Sequence, residues 1–291
     1  MEGSIDERLQ VAYLSRLGLE AEPPSVDALQ RLHRRHVERI PYETLWIHGG
    51  ESWGIEPVES VQRIALGGRG GYCYHLNGAL AELLCSLGYD VHRHVGGVHG
   101  PTGPDEQSVA NHLVLTVHGL PTQANPEGVW YVDAGLGDAL HEALPLAAGE
   151  YRQDPFVLSL GEQEGGWHLR HDPRGGFVGM GWNLNEAGWT DFTTKHHWLS
   201  TSSESGFVQV AMAERRDADG VDVVRGLVLS RLGSNAHTDE PITRRDRWFD
   251  VLHDLFGLRF ETTPTDVLDE LWRRTLHNHR AWETAGRPER T

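Results

Sequence analysis

The spacing of apolar residues changes from a helical period to a strand period about one third of the way along the chain. Up to Gly88, apolar residues recur every three or four positions, which is typical of amphipathic helices. The pattern predicts a first helix that Ser4 caps and Gly18 ends, a second from Ser25 to before Pro41, a third from Pro57, and a fourth that begins near Cys73 and ends at Gly88. The first third is therefore predicted to be helical.

After Gly88, apolar and polar residues alternate between turns rich in Gly, Pro and Asp, as they do in half-buried strands. Strands are predicted at residues 90–98, 112–118, 129–134, 155–160, 166–171, 176–182, 206–213 and 221–230. A helical period returns near the C-terminus, where Thr243 and Asp246 are candidate caps of one helix and a last helix begins at about residue 264. Helices, then strands, then a mixed end indicate an α+β fold.

The composition is that of a folded protein. The 291 residues are 38% hydrophobic and include ten tryptophans, which is enough apolar material for a substantial core. No apolar stretch approaches the roughly 20 residues of a membrane span, and the first residues lack the basic and apolar regions of a signal peptide. Two cysteines, Cys73 and Cys85, exclude a disulfide framework. We therefore expect a cytoplasmic protein with no membrane partner.

Charge and histidine spacing exclude two further classes of ligand. The net charge of −16 argues against nucleic acid, because nucleic-acid-binding proteins present a basic surface. His92 and His94 are two residues apart, as are His277 and His279, but neither pair has a nearby cysteine or a carboxylate at ligand spacing. We predict no metal site.

Cys73 is the candidate nucleophile. Gly70 and Gly71 form a turn directly before it, and this turn delivers the thiol to the first turn of the predicted helix. Unpaired backbone amides and the helix dipole favour a thiolate there, and the same amides can receive an oxyanion. The alternative is a buried structural cysteine, which is how we interpret Cys85 among its apolar neighbours.

His112 and Asp133 are the candidate base and orienting group for this thiol. His112 opens the strand at 112–118, with its side chain on the face opposite Leu113. Asp133 ends the apolar strand at 129–134, where a carboxylate costs desolvation energy unless it has a partner such as an imidazole N–H. The spacing alone does not establish that the three side chains meet.

Sequence motifs around these residues follow one another in a distinctive order. They read Ile-Pro-Tyr-Glu-Thr-Leu at 40–45, Arg-Gly-Gly-Tyr-Cys-Tyr-His-Leu-Asn at 69–77, Asn-His-Leu at 111–113, Val-Asp-Ala-Gly-Leu-Gly at 132–137 and Leu-Ser-Thr-Ser-Ser-Glu-Ser-Gly-Phe at 199–207. Together they resemble the arylamine N-acetyltransferase family, whose signature is Arg-Gly-Gly-aromatic-Cys-aromatic-Glu-x-Asn. The family's other motifs read Ile-Pro-Phe-Glu-Asn-Leu, Val-Asp-Val-Gly-Phe-Gly and Ser-Thr-Ser-Pro-x-Ser-x-Phe.

The resemblance implies a fold in three parts. A helical domain, 1–88, would carry the nucleophile, and a β-barrel domain, 89–204, would carry His112 and Asp133. An α/β domain, 205–291, would act as a lid over a cysteine-protease-like Cys-His-Asp core.

The resemblance also implies ping-pong acyl transfer. Cys73 would take an acetyl or other acyl group from acetyl-CoA or another acyl-CoA, and an arylamine, arylhydroxylamine or hydrazine would then take it from Cys73. His112 would hold the thiolate and later help to deprotonate the amine, while Asp133 would fix the imidazole. Thr201 and Ser202 match the segment that contacts CoA in relatives.

Two positions depart from the family's motifs. His75 stands where a glutamate usually pairs with the arginine that matches Arg69, and Ser203 stands where proline is usual. Either Glu43 or another carboxylate pairs with Arg69 instead, or the substrate pocket is remodelled. We also expect His196 and His197 to lie in a solvated loop.

Three other functions stay open from the sequence. One is a biosynthetic amide synthase that uses a larger acyl group, in some cases held on an acyl carrier protein. Another is a catalytically silent relative that binds a small molecule or a partner. A hydrolase with the same three side chains is the third.

Overall fold

The N-terminal part of the chain is helical, as predicted. The computed structural model describes residues 5–234 and 236–287. The helices are α1 (Glu7–Leu17), α2 (Val26–Arg39), α3 (Leu45–Gly49), α4 (Pro57–Ala65) and α5 (Cys73–Ser86), and a two-residue strand, β1 (Tyr42–Glu43), precedes α3. Ser4 lies outside the described residues. Asp6 caps α1 by accepting a hydrogen bond from Leu9 N at 2.8 Å, and Gly18 ends that helix in the left-handed conformation.

Helix α5 lies at the centre of the molecule. Every residue from Cys73 to Leu84 is buried, because α1 and α4 pack on one side and the first strands of a large sheet pack on the other. A helix that is apolar on every face requires such surroundings. Cys85, at the end of α5, is exposed, so the interpretation of Cys85 as a buried structural cysteine was wrong.

A nearly closed barrel of eight antiparallel strands follows α5. Its strands are β2 (Asp90–His99), β3 (His112–His118), β4 (Trp130–Val132), β5 (Leu144–Pro145), β6 (Gly149–Gln153), β7 (Phe156–Gln163), β8 (Gly166–Arg170) and β9 (Gly179–Asn183). Their order in the sheet is β5-β4-β3-β2-β9-β8-β7-β6. The predicted α+β class with a helical N-terminus and a β-barrel is confirmed. The short strands β5 and β6 were not predicted.

A second antiparallel sheet, of five strands, is formed by β1 and the C-terminal part of the chain in the order β1-β10-β11-β12-β13. The remaining elements are α6 (Thr190–Thr201), α7 (Gly206–Gln209), β10 (Met212–Arg216), β11 (Gly220–Arg225), β12 (Val228–Gly233), β13 (His237–Pro241), α8 (Arg245–Asp254) and α9 (Thr265–Thr284). Helices α8 and α9 pack on this sheet through a core that includes Trp248 and Leu271.

Several predictions for this region were wrong in detail. Residues 206–213 do not form one strand, because Ser205 caps the short helix α7 and β10 begins only at Met212. Residues 221–230 form two strands of a hairpin that turns at Gly226. Neither Thr243 nor Asp246 caps α8, since Arg244 occupies the N-cap position. Helix α6 was not predicted, because Phe192 is its only buried residue and no apolar stripe marks it.

Strand β1 connects the turn before Cys73 to the C-terminal sheet. Glu43 N donates to Gly71 O at 2.8 Å, and Thr44 N donates to Met212 O at 3.0 Å. The two chain segments approach so closely that a Cβ at Gly70 would lie 2.0 Å from Pro41 O. Only glycine fits at this point, which explains the Gly-Gly turn in terms of packing.

Across residues 5–234 and 236–287, every helix is too short or too polar to cross a lipid bilayer.

We expect Gly70→Ala to lower the free energy of unfolding by about 1–3 kcal/mol, because the added methyl group overpacks a backbone contact. Urea denaturation followed by tryptophan fluorescence measures this change. Gly161→Ala is the matched control, since nothing lies within 4 Å of a Cβ at that position. Equal stabilities for the two variants would contradict the packing argument.

Candidate active site

Cys73 begins helix α5 and lines a cleft of about 740 Å³. Its side chain is almost completely buried, and Sγ lies 3.4 Å from Asn111 O. Tyr72, the N-cap residue, makes no side-chain capping hydrogen bond, so the first backbone amides of α5 are not capped by that side chain. A Cβ at Gly135 would lie 2.7 Å from Cys73 Cα, which shows how tightly the loop after β4 packs on the nucleophile's backbone.

His112 contacts both other members of the predicted trio. Its Nε2 donates to Asp133 Oδ2 at 2.8 Å, and its ring lies close enough to Cys73 for the sulfur to raise the pKa of His112. Since Nε2 is engaged with Asp133, Nδ1 is the nitrogen that faces the sulfur. The structure therefore brings Cys73, His112 and Asp133 together in one buried chain of contacts.

The Asp133 carboxylate is buried and accepts four hydrogen bonds. Oδ2 accepts from His112 and from the Tyr131 hydroxyl, each at 2.8 Å. Oδ1 accepts from Asn77 Nδ2 at 2.7 Å and from Gly135 N at 3.0 Å. A fully hydrogen-bonded carboxylate is the form in which a buried negative charge is tolerated, so Asp133 is held both in position and in its ionised state.

The electrostatics of the pair favour an imidazolium beside a carboxylate. Burial lowers the pKa of His112, but the charges of Asp133 and Cys73 and their hydrogen bonds outweigh burial and raise that pKa to about 10. Burial raises the pKa of Asp133, and the contacts with His112, Asn77 and Tyr131 reverse this effect, so the pKa lies below its ordinary value. At neutral pH, His112 is therefore charged.

Asn77 positions the site from one turn further along α5. Its Nδ2 donates to Asp133 Oδ1 and also to Leu113 O, at 2.6 Å, while its Oδ1 accepts from Ala134 N at 2.9 Å. One amide thus ties the nucleophile helix to both strands that carry the other two residues. The sequence analysis assigned no role to Asn77 or Tyr131. Tyr131 could have been predicted from the strand period, because it lies two residues before Asp133 and therefore on the same face of the strand.

His75 does not disturb the trio. Its Nε2 hydrogen-bonds to Gly54 O at 3.1 Å. Burial and the nearby Arg63 hold the pKa of His75 well below its usual range, so the ring is neutral. Arg69 pairs instead with Glu43, with Nη2 and Oε1 3.0 Å apart, and its guanidinium stacks 4.8 Å from the Trp53 ring centroid. The expectation that Glu43 forms the ion pair with Arg69 therefore agrees with the structure.

The other predicted residues lie around the mouth of the cleft. Thr201 ends α6 and Ser202 follows it, and neither lines the cleft, although Leu199 and Gly206 on either side do. His196 lies in α6 rather than in the expected solvated loop, with Nδ1 2.7 Å from the Tyr72 hydroxyl. Among residues 5–234 and 236–287, no group of three or more His, Cys, Asp or Glu side chains is arranged to hold a metal ion.

The chain is similar to known proteins over most of its length. A family model described as N-acetyltransferase matches residues 25–265. Arylamine N-acetyltransferase 2 of Mus musculus is 25% identical over 279 residues, which cover 86% of this chain and 94% of that protein. Arylamine N-acetyltransferase 1 of Homo sapiens is 24% identical over 243 residues, 75% and 81% of the two chains. The structure of Mycobacterium marinum arylamine N-acetyltransferase in complex with CoA superposes with a TM-score of 0.81 at 25% identity, covering 91% of this chain and 98% of that one.

We expect Asn77→Ala to slow alkylation of Cys73 by iodoacetamide at mildly acidic pH by about tenfold, because a hydrogen bond to a charged group that holds the imidazole is lost. Peptide mass spectrometry measures the rate at each cysteine. Asn183→Ala removes an exposed amide in β9 and serves as the control. An unchanged rate in Asn77→Ala would show that Asn77 does not position the trio.

The stability of the protein depends on pH through His112. The stabilisation from charged His112 is fully present below its unfolded-state pKa of about 6.5 and is lost as pH rises through the folded-state pKa of about 10. The difference in free energy of unfolding between wild type and His112→Gln therefore shrinks from neutral pH to above pH 10. Urea denaturation across this range measures it, and a constant difference contradicts the raised pKa.

Proposed function

Because the chain belongs to the arylamine N-acetyltransferase family, we propose that it transfers an acetyl group from acetyl-CoA to an arylamine, arylhydroxylamine or hydrazine through an acetyl-Cys73 intermediate. Membership makes the protein an acyltransferase. The placement of His112 between Cys73 and the hydrogen-bonded Asp133 is the observation that carries the finer mechanism.

The first half-reaction acetylates Cys73. The proton of the Cys73 thiol already resides on His112 at neutral pH, and Sγ attacks the thioester carbonyl carbon of acetyl-CoA as a thiolate. Backbone amides at the N-terminus of α5 receive the oxyanion of the tetrahedral intermediate. The carbon–sulfur bond to CoA then breaks, and the CoA sulfur leaves with the proton from His112. CoA departs as a thiol and the enzyme carries a thioester.

The second half-reaction returns Cys73 to its starting state. The amine nitrogen attacks the acetyl carbonyl, and His112 accepts a proton from that nitrogen. The bond between the carbonyl carbon and Sγ breaks, and sulfur leaves as a thiolate beside the imidazolium. Asp133 keeps Nε2 engaged throughout, so that Nδ1 always faces the reacting atoms.

The acyl donor is proposed from the solved relative. The Mycobacterium marinum enzyme was crystallised in complex with CoA, which supports a CoA thioester as the donor here. Thr201 and Ser202 are proposed to contact CoA for two reasons. They belong to the motif that resembles the CoA-contacting segment of relatives, and they lie beside Leu199, which lines the cleft. The domain boundaries at 88 and 204 and the cytoplasmic location also stay predictions.

The alternative functions are less well supported. The relatives named above are arylamine N-acetyltransferases, so they do not favour a carrier-dependent amide synthase or a silent relative. Neutral His75, which had favoured a remodelled or silent site, lies apart from the Cys73–His112 contact.

Incubation with acetyl-CoA is expected to add the mass of one acetyl group to the protein, on Cys73. Cys73→Ala is expected to abolish the adduct, and Cys85→Ala, which changes an exposed thiol, is expected to keep it. Intact-protein and peptide mass spectrometry measure both. An adduct that forms only with longer thioesters favours the amide synthase, and an adduct that water removes without any amine favours a hydrolase.

In the unacylated enzyme, iodoacetamide at mildly acidic pH is expected to alkylate Cys73 faster than Cys85, although Cys85 is the more exposed. Partial burial and the nearby Glu82 raise the pKa of the Cys85 thiol, whereas Cys73 has an imidazolium beside it. If Cys73 reacts no faster than Cys85, the ion pair is absent and the silent relative is the better interpretation.

A further inference from the structure

Two polar side chains in the cleft have no hydrogen-bond partner among the described residues. They are the hydroxyl of Tyr42 and the carboxyl of Glu214. Tyr42 in β1 lies directly opposite Glu214 in β10, so the two side chains project from the same face of the five-stranded sheet. This face forms the floor of the cleft that Cys73 and His112 also line.

Glu214 is held against the loop that carries Asp133. A Cβ at Gly137 would lie 1.9 Å from Glu214 Oε2, so the carboxyl packs directly on this glycine. Burial and the nearby Asp138 raise the pKa of Glu214 to about 8, although Arg225 opposes them. The side chain is half-buried and lines the cleft, and no described residue donates a hydrogen bond to its carboxyl, so the carboxyl is free to accept one from a bound ligand.

Other polar side chains around the cleft are already engaged. Asp138 accepts a hydrogen bond from Gly176 N at 2.6 Å and lies 3.2 Å from His171 Nε2. Arg174 pairs with Asp172 at 2.9 Å. Tyr42 and Glu214 therefore stand out as the polar pair that is open to a ligand.

The surroundings of this pair are apolar and aromatic. The Phe207 ring meets the Tyr42 ring edge-on, with centroids 6.4 Å apart. Leu136, Met212 and Val223 also line the cleft here. An aryl ring fits this lining, and Tyr42 and Glu214 offer a polar substituent on the ring hydrogen-bonding groups with no partner among the described residues.

Tyr42 also departs from the family's motif, which has phenylalanine at this position. The phenol hydroxyl is therefore an addition to the cleft rather than a general feature of the motif. Burial raises the pKa of Tyr42 well above its ordinary value, and the charge of Cys73 adds to this effect, so the hydroxyl keeps its proton and is a donor. A carboxyl oxygen accepts in either protonation state, so the pair offers one donor and one acceptor side by side.

We infer that Tyr42 and Glu214 select an acceptor whose aryl ring carries a hydroxyl group, which donates to Glu214 and accepts from Tyr42. The inference rests on the proposed acetyl transfer and names the class of amine that takes the acetyl group. A methyl group in place of the hydroxyl leaves both side chains without a partner, and such a site discriminates strongly against the analogue that lacks the bond.

The test uses the second half-reaction alone. Acetyl-Cys73 protein is prepared with acetyl-CoA, freed of CoA, and mixed with meta- or para-hydroxyaniline or with the methylaniline of the same size. In wild-type protein, the second-order rate constant for deacetylation is expected to be about tenfold or more higher with the faster of the two hydroxyanilines than with the matching methylaniline. We expect the hydroxyaniline to reach the half-maximal rate at a lower concentration than the methylaniline, while the maximal rates of the two stay similar.

The variants separate recognition from folding. Glu214→Leu is expected to bring the ratio of the two rate constants close to one. Glu214→Gln keeps a carbonyl acceptor, and Tyr42→Phe keeps the carboxyl, so both variants are expected to retain part of the preference for the hydroxyaniline. Glu240→Gln changes an exposed carboxylate in β13 of the same sheet and keeps the full preference. Formation of acetyl-Cys73 by each variant shows that its fold and first half-reaction are intact.

The possible failures are distinct. If acetyl-Cys73 does not form in wild-type protein, the proposed acetyl transfer fails and the inference falls with it. If it forms, and the ratio is close to one in wild type or unchanged in Glu214→Leu, the inference alone is overturned.

Discussion

The buried carboxylate of Asp133 is the interaction on which the site depends. A negative charge in this position is stable only because four donors surround it, and the donors come from different parts of the chain: His112 from β3, Asn77 from the nucleophile helix, Tyr131 from β4 and the backbone of Gly135. Meeting the hydrogen-bonding needs of one carboxylate therefore fixes the position of α5 against the barrel. Catalytic geometry and folding stability are two results of the same arrangement.

The sequence predicted the larger elements of the fold well and the small polar ones poorly. Helices α1, α2, α4 and α5 have apolar stripes and clear end signals, so their periodicity was sufficient. Helix α6 buries only Phe192, and its other side chains are mostly polar, so no stripe distinguished it from a loop. The two-residue strands β1 and β5 are defined by their partners in the sheet, which a local pattern does not contain.

The residues of the site also differ in how well the sequence predicted them. Cys73, His112 and Asp133 were identified because each stands at the end of an element and within a recognisable motif. Asn77 was quoted in a motif without a role, because its importance lies in contacts with Leu113, Asp133 and Ala134, far away in sequence. Glu214 carried no signal, since it follows a segment whose structure was predicted wrongly. The chemistry of the site was therefore predictable, whereas its supporting and substrate-facing side chains depended on tertiary packing.

Strand β1 has a mechanical consequence. Its two residues bond on one side to the turn that presents the nucleophile and on the other to β10 of the C-terminal sheet. Any movement of this sheet away from the helices would break the backbone pairing of β1 either with Gly71 or with β10, and the second case leaves an open strand edge at β10. Strand β1 is thus a mechanical coupling, because a displacement of the C-terminal sheet is transmitted through two backbone hydrogen bonds to the turn that presents the sulfur.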